Sequence, residues 1–344
     1  MRVSVVLATY NGAKYIVRQL ESLAQQTHQP FELIVSDDAS KDDTVALVEE
    51  FAATAPFPVK VRSNEKALGY AENFLSACEM AEGELISLCD QDDVWLPEKL
   101  AKAVQRFQEY PKADMVITSA AVVDSDLNPL GANHPRIVKA GYQPPRSMSP
   151  FARPPGFCMV MRRRLVTEFD WRKRPLDLDF SSGMSKHDTW LLTLANCLGG
   201  VYLDPTVCAL YRRHGSNHSF MRSGTNLTRR LGQWRDMFRR PDLSKLEHGL
   251  EALESHAAYF AAKAQFSSGE LKAEMEQAAS LYEDYAEGHR ERLALAKRSP
   301  LRKGRALVSN LSRGRYGGLG RGFQRRLFAE DAIAVILPPL RSRN

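Results

Sequence analysis

The 344-residue chain is 44% apolar and 26% charged, the composition of a soluble globular protein with enough length for one large domain or two ordinary ones. No apolar run approaches the roughly 18 to 20 residues that cross a bilayer, and Val3–Leu7 is too short for the core of a secretory leader, so a cytoplasmic protein is expected. The net charge of +6 is uneven: residues 1–220 hold 24 Lys and Arg against 27 Asp and Glu, and residues 221–344 hold 23 against 14.

In chain order, short β-branched runs at Val3–Leu7, Leu33–Val35, Val59–Arg62, Leu85–Leu88 and Met115–Ile117 predict strands. Between them, Ile16, Leu20 and Leu23, then Val45, Val48 and Phe51, keep helical spacing. This alternation predicts an α/β domain with a mostly parallel sheet and helices on both faces. After a Pro-rich, basic passage at Pro144–Pro155, Gly156–Met161 predicts a strand, Lys186–Leu198 a helix and Val201–Tyr211 a further strand. The domain is expected to close near residue 218.

A helical extension is expected over 219–296. Leu243, Leu246, Leu250, Leu253, Ala257, Phe260 and Ala264 form one apolar stripe, and Leu271, Met275, Ala278, Tyr282 and Tyr285 another. Ser267-Ser268-Gly269-Glu270 between them reads as a turn with a capping box, which makes the pair a helical hairpin. Residues 297–344 read as a basic, amphipathic tail, with ten Lys and Arg and no acid from Lys297 to Arg326. Five cysteines (Cys78, Cys89, Cys158, Cys197, Cys208), without a CxxC pair, read as reduced core residues.

Ligands of parallel sheets collect at the carboxyl ends of the strands, and four consecutive predicted strands here end in polar or acidic stretches: "ATYNG", "SDDAS", "NEKALGYAEN" and "CDQDDVW". The last puts Asp90, Asp92 and Asp93 into four positions. Like charges that close repel and raise one another's pKa, so the stretch is either a solvated turn before the next helix, at Leu96-Pro97-Glu98-Lys99, or a cation site. Mg²⁺ and Mn²⁺ take carboxylates together with substrate phosphates. Neither a GxxxxGK[ST] loop nor a GxGxxG is present to hold phosphates by backbone alone.

In this order and spacing, "VSVVLATYNG", "FELIVSDDASKDDT", "NEKALGYAENF" and "CDQDDVWLPEKL" resemble the nucleotide-binding half of family-2 inverting glycosyltransferases, which have the GT-A fold. "GFCMVMRRRL", "SKHDTWLLTLA" and "VYLDPTVCALYRRHGSN" resemble the acceptor half, especially of bacterial enzymes that add rhamnose or related sugars to cell-surface glycans. The resemblance covers residues 2–218. It implies that Ala8, Tyr10 and Asn11 meet the nucleotide, Tyr10 by stacking, and that Asp38 bonds the base edge. Asn64, Gly69 and Asn73 would line the nucleotide and diphosphate pocket, although many relatives have Arg where Asn73 stands. Asp90 would meet ribose or donor sugar, Asp92 would hold Mg²⁺ or Mn²⁺, and His214 would be a further metal or diphosphate ligand with Arg212 beside it. Asp188 in "KHDTW" would be the catalytic base.

The implied partners are a dTDP- or UDP-linked sugar donor and a glycan or lipid-linked acceptor. A sugar-nucleotide nucleotidyltransferase is the competing enzyme reading; it would carry a Gly-rich, basic loop where this chain has "ATYNG". Tyr316, Phe323, Leu327 and Phe328 among the tail's basic residues fit an anionic membrane surface better than a nucleic acid, so peripheral membrane association is expected.

Overall fold

The computed structural model describes residues 1–178, 183–215 and 243–297. The chain divides into two compact units: Met1–Arg174 with Ser185–Asn217, and Pro175–Met184 with His218–Asn344. The expected basic tail from residue 298 onward, residues 219–242 and the end of the "RRHGSN" stretch lie outside the described residues.

The first unit runs β1 (Val3–Thr9), α1 (Ile16–Ala24), β2 (Glu32–Asp37), α2 (Thr44–Ala52), β3 (Val59–Ser63), α3 (Tyr70–Cys78), β4 (Leu85–Asp90), β5 (Val94–Trp95), α4 (Lys99–Glu109) and β6 (Met115–Val123). It continues with β7 (Pro129–His134), β8 (Gly141–Gln143), β9 (Met159–Arg162), α5 (Arg164–Thr167), α6 (His187–Cys197) and β10 (Val201–Arg212). β1, β2 and β4 are almost wholly buried runs of Val, Ile and Leu, as expected of central strands covered on both faces. β3, at the sheet edge, alternates partly exposed positions.

Among the described residues the sheet order is β3-β2-β1-β4-β9-β6-β10-β5, with β7 on β6 and β8 on β10. The parallel pattern holds for β3-β2-β1-β4 and again for β6 and β10. β9 enters antiparallel between β4 and β6 and joins the two parallel halves. Short β5 pairs antiparallel with the end of β10, Leu210 opposite Val94, which carries the residues after β10 back to "DQDD".

α1 buries Ile16, Gln19, Leu20 and Leu23 on one side. α6 is different: every residue from His187 to Cys197 is buried except Asp188. All five cysteines are buried and free.

In the second unit the helices Leu243–Gln265 and Gly269–Lys297 form the hairpin. Their buried faces hold Leu253, Ala257, Phe260 and Ala264 on one side and Met275, Ala278, Tyr282 and Ala286 on the other. His256 joins this core, its ring stacked on that of Tyr282 at 4.7 Å between centroids. The turn is not a capping box: the Ser267 hydroxyl donates to the Lys263 carbonyl at 2.8 Å, closing the preceding helix rather than opening the next. Leu176 and Asp177, which the sequence pattern leaves in the α/β domain, pack here. The Leu176 amide donates to Ser255 Oγ at 3.0 Å, and His248 Nε2 bonds the Asp177 carbonyl at 3.2 Å. Among the described residues no helix is long and apolar enough to cross a membrane.

Candidate active site

The parallel register aligns the strand ends. Thr9 stands opposite Asp37, Asp37 opposite Ser63, and Ala8 opposite Asp90. Tyr10, Asp38, Asn64 and Asp90 therefore leave the sheet along one edge, the edge where open α/β sheets bind ligands.

The turn after β1 is pinned throughout. Gln91 holds the Tyr10 backbone from both sides: its Oε1 accepts the Tyr10 amide at 2.9 Å, and its Nε2 donates to the Tyr10 carbonyl at 3.0 Å. The Asn11 amide donates to Ser40 Oγ, the Gly12 amide to Thr44 Oγ1 and the Ala13 amide to Asp42 Oδ2, at 2.9, 2.8 and 3.0 Å. Asn11 takes a left-handed φ of 47°, which Asn tolerates better than most residues, and its Oδ1 accepts the Lys41 amide. Tyr10 itself is 51% exposed, so a ring on a rigid backbone faces solvent.

Asp38 is buried and anchors the opposite wall. Its Oδ1 accepts from Asn64 Nδ2 and the Leu68 amide, and its Oδ2 from the Gly69 amide at 2.9 Å. Those bonds shape the turn in which Gly69, at φ 92°, opens α3. Asn73, expected in the diphosphate pocket, lies beneath it instead. It is 1% exposed, its Nδ2 donates to the Ser36 carbonyl, and its Oδ1 accepts from Ser36 Oγ and Asn64 Nδ2.

The acids of "CDQDDVW" separate. Burial, then the charges of Asp92 and Asp188, push the Asp90 carboxyl up to about 8. Asp93 is fully buried, and burial with the charges of Asp92 and Asp90 drives it well above the usual carboxylate range, opposed by the Arg212 amide that it accepts at 3.0 Å. It precedes β5 rather than opening α4, where its sequence position suggested a helix start. Asp92 Oδ2 lies 2.7 Å from His214 Nε2. Arg212 also departs from expectation: only 5% exposed, it turns inward, donating from Nε to the Asp92 carbonyl and from a terminal nitrogen to the Ser125 carbonyl.

Asp188 is the second residue of α6, and Lys186 rather than Asp188 stands at the cap. Its Oδ1 accepts the Thr189 amide at 2.7 Å; among the described residues its Oδ2 has no protein hydrogen bond. The positive end of the helix favours a carboxylate at this position. Next to it, His187 is buried, stacked on Phe74 at 4.3 Å and edge-on to Tyr70 at 5.9 Å, and burial holds its imidazole below the ordinary histidine range.

Three residues that shape the site carried little sequence signal. Gln91 lies inside the acidic stretch as a neutral spacer. Tyr15, stacked with His214 at 4.6 Å and under the Arg212 guanidinium at 4.7 Å, falls at the start of α1. His187 reads as part of an apolar helix. Its packing depends on Phe74 and Tyr70, more than 100 positions away.

The donor set suits a hard divalent cation that completes its shell with phosphate oxygens: one carboxylate and one imidazole converge, and Asp90 carries the mark of unneutralised acids nearby. Among the described residues no group of three or more His, Cys, Asp or Glu is arranged to hold a metal without such help.

Residues 4–169 match glycosyl transferase family 2. An uncharacterized protein of Mycobacterium tuberculosis is 29% identical over 215 residues, 61% of this chain and 58% of the relative, so the match spans little more than half of that protein. The dTDP-rhamnosyl transferase RfbG of Shigella flexneri is 26% identical over 260 residues, 71% of this chain and 84% of the relative. Among solved structures, residues 1–349 of S. aureus TarS in complex with UDP-GlcNAc superpose with a TM-score of 0.54 at 19% identity, over 97% of this chain and 90% of that one. At that identity the likeness speaks for the fold. Residues 4–169 thus match the glycosyl transferase family 2 model, and the fold is of the GT-A type.

Proposed function

We propose that the chain is an inverting, metal-dependent glycosyltransferase that moves rhamnose or another deoxysugar from a nucleoside diphosphate to a hydroxyl of a cell-surface glycan or lipid-linked acceptor. The observation that carries this reading is α6: a helix buried all round except for one carboxylate, Asp188, whose charge is felt at Asp90 on β4. A carboxylate left accessible on an otherwise buried helix, beside other acids, is placed for proton transfer rather than for packing.

The parts take distinct roles. Tyr10 stacks on the base, Ala8 and Asn11 line its pocket, and Asp38 supports that pocket by holding Asn64, Leu68 and Gly69. Asp90 faces ribose or donor sugar. Asp92 and His214 hold Mg²⁺ or Mn²⁺, which when bound stabilises the charge of a departing diphosphate. Asp188 takes the proton of the acceptor hydroxyl as that oxygen attacks the anomeric carbon. One base suffices for a single displacement, and inversion at the anomeric carbon follows.

Similarity to a dTDP-rhamnosyl transferase supports a dTDP-linked deoxysugar; the UDP-GlcNAc complex of a structural neighbour makes a UDP-linked donor the other candidate. Asp188→Asn is expected to abolish transfer while leaving nucleoside-diphosphate binding intact, as read by turnover and by thermal shift with Mn²⁺. Unchanged turnover removes Asp188 from the mechanism. The basic tail, on its sequence, is proposed to dock on the anionic inner face of the cytoplasmic membrane, where lipid-linked acceptors would be met. Protein lacking residues 297–344 should lose binding to anionic vesicles; retention equal to that of the full chain refutes the docking role.

A further inference from the structure

We propose that Lys14 is a diphosphate-binding residue of the donor site, oriented by the ring of Tyr15. The assignment rests on the glycosyltransferase reading of the cleft and adds the cation that this reading lacks.

A nucleoside-diphosphate donor brings negative charge to an edge already crowded with Asp90, Asp92 and Asp188. A divalent ion offsets part of it, and a protein cation is needed for the rest. The two side chains that sequence position favoured for this task are both spent inside the protein. Asn73 is uncharged and 1% exposed, and Arg212 is 5% exposed, with donors committed to the carbonyls of Asp92 and Ser125.

The backbone cannot substitute. Successive amides that point at one spot make an anion-binding nest, but after β1 the amides of Tyr10, Asn11, Gly12 and Ala13 all donate to protein oxygens, on Gln91, Ser40, Thr44 and Asp42. A turn whose donors are consumed in this way is rigid and offers phosphate only side chains.

Lys14 is the next residue on that turn. It is exposed, and its Nζ lies 5.0 Å from the centroid of the Tyr15 ring. The same ring carries the Arg212 guanidinium at 4.7 Å and the His214 imidazole at 4.6 Å, and His214 Nε2 lies 2.7 Å from Asp92. One aromatic ring therefore gathers Lys14 and the Asp92–His214 pair to which the diphosphate would be tied. Among the described residues Lys14 makes no ion pair, so its charge is oriented by a cation–π contact without being neutralised. An ammonium so placed is a point charge available to a phosphate oxygen.

The test compares full-length wild type, Lys14→Met and Lys14→Arg by isothermal titration with UDP, dTDP, uridine and thymidine, each with and without Mn²⁺. Lys14→Met should weaken diphosphate binding about tenfold, the loss of one charge-assisted hydrogen bond. Binding of the two nucleosides and the melting temperature of the free protein should not change, and Lys14→Arg should recover most of the affinity. A purely structural lysine would change the melting temperature or affect nucleosides and diphosphates alike. Equal diphosphate affinity in wild type and Lys14→Met overturns the assignment while the reading of the cleft stands. Failure of the wild type to bind either diphosphate overturns both.

Discussion

Gly12 and Gln91 offer a direct test of how the nucleotide turn is held. A Cβ at position 12 would lie 2.1 Å from Gln91 Oε1 and 2.5 Å from its Cδ, too close for the carboxamide to stay. Gly12→Ala must therefore displace Gln91 and break its two hydrogen bonds to the Tyr10 backbone, at 2.9 and 3.0 Å. Each such bond contributes about 0.5 to 1.5 kcal/mol net, and the partial solvent access of this edge favours the lower half of that range. The expected cost is about 1 to 2 kcal/mol, a fall in melting temperature of roughly 2 to 8 °C for a domain of this size. Gln91→Ala removes the same bonds without a clash and should cost a similar amount. Adding Gly12→Ala to Gln91→Ala should then cost almost nothing, because the space is vacated, leaving a coupling energy of about 1 to 2 kcal/mol in the double-mutant cycle. Urea titration of the four proteins reads the cycle, and nucleoside affinity should weaken in each variant as the Tyr10 ring loses its support. Additive costs, with Gly12→Ala as damaging in the Gln91→Ala background as in wild type, would refute the reasoning.

Two further outcomes follow from the acids and from a buried histidine. Asp92→Ala should lose Mn²⁺-dependent donor binding by at least about tenfold; binding that is metal-independent and equally strong in both proteins would count against the Asp92–His214 cation site. In the helical hairpin, burial pushes the His289 imidazole down to about 4 from 6.5, and its side chain is only 8% exposed. Above about pH 6.5 it is neutral in both folded and unfolded chains. Between about 6.5 and 4 only the unfolded chain takes the proton, so stability falls with pH there, by up to about 3 kcal/mol, and no further below. His289→Leu should flatten that part of the urea-midpoint profile between about pH 7.5 and about pH 4.5; an unchanged slope would remove His289 as the cause.

The strands of the first half, and the polar stretches that end them, were legible because β-branched apolar runs and the polar residues that bound them are local properties. β1, β2 and β4 fall on their predicted runs, and a parallel sheet places their carboxyl ends on one edge whatever the details of packing. The position of Asp188 was also open to inspection, as a single acid in an otherwise apolar helical stretch. What the sequence by itself determined is this order of strands, their acidic ends and the likeness of residues 4–169 to glycosyl transferase family 2.

Only the tertiary structure decided which polar side chains face the cleft. Asn73 and Asp38 look alike as polar residues near strand ends, yet Asn73 is consumed by Ser36, 37 positions away, while Asp38 braces a turn. Arg212 looks like a phosphate ligand until the pairing of β5 with β10 brings its guanidinium to the Asp92 carbonyl and its amide to the Asp93 carboxylate. Gln91 becomes a clamp only because β1 and β4 are neighbours, which sets it beside Tyr10 across 81 positions. The physical reason is common to all four: a hydrogen-bonding group goes to whichever donor or acceptor the folded chain brings within about 3 Å, and that partner is chosen by strand pairing between distant segments, not by the residues on either side.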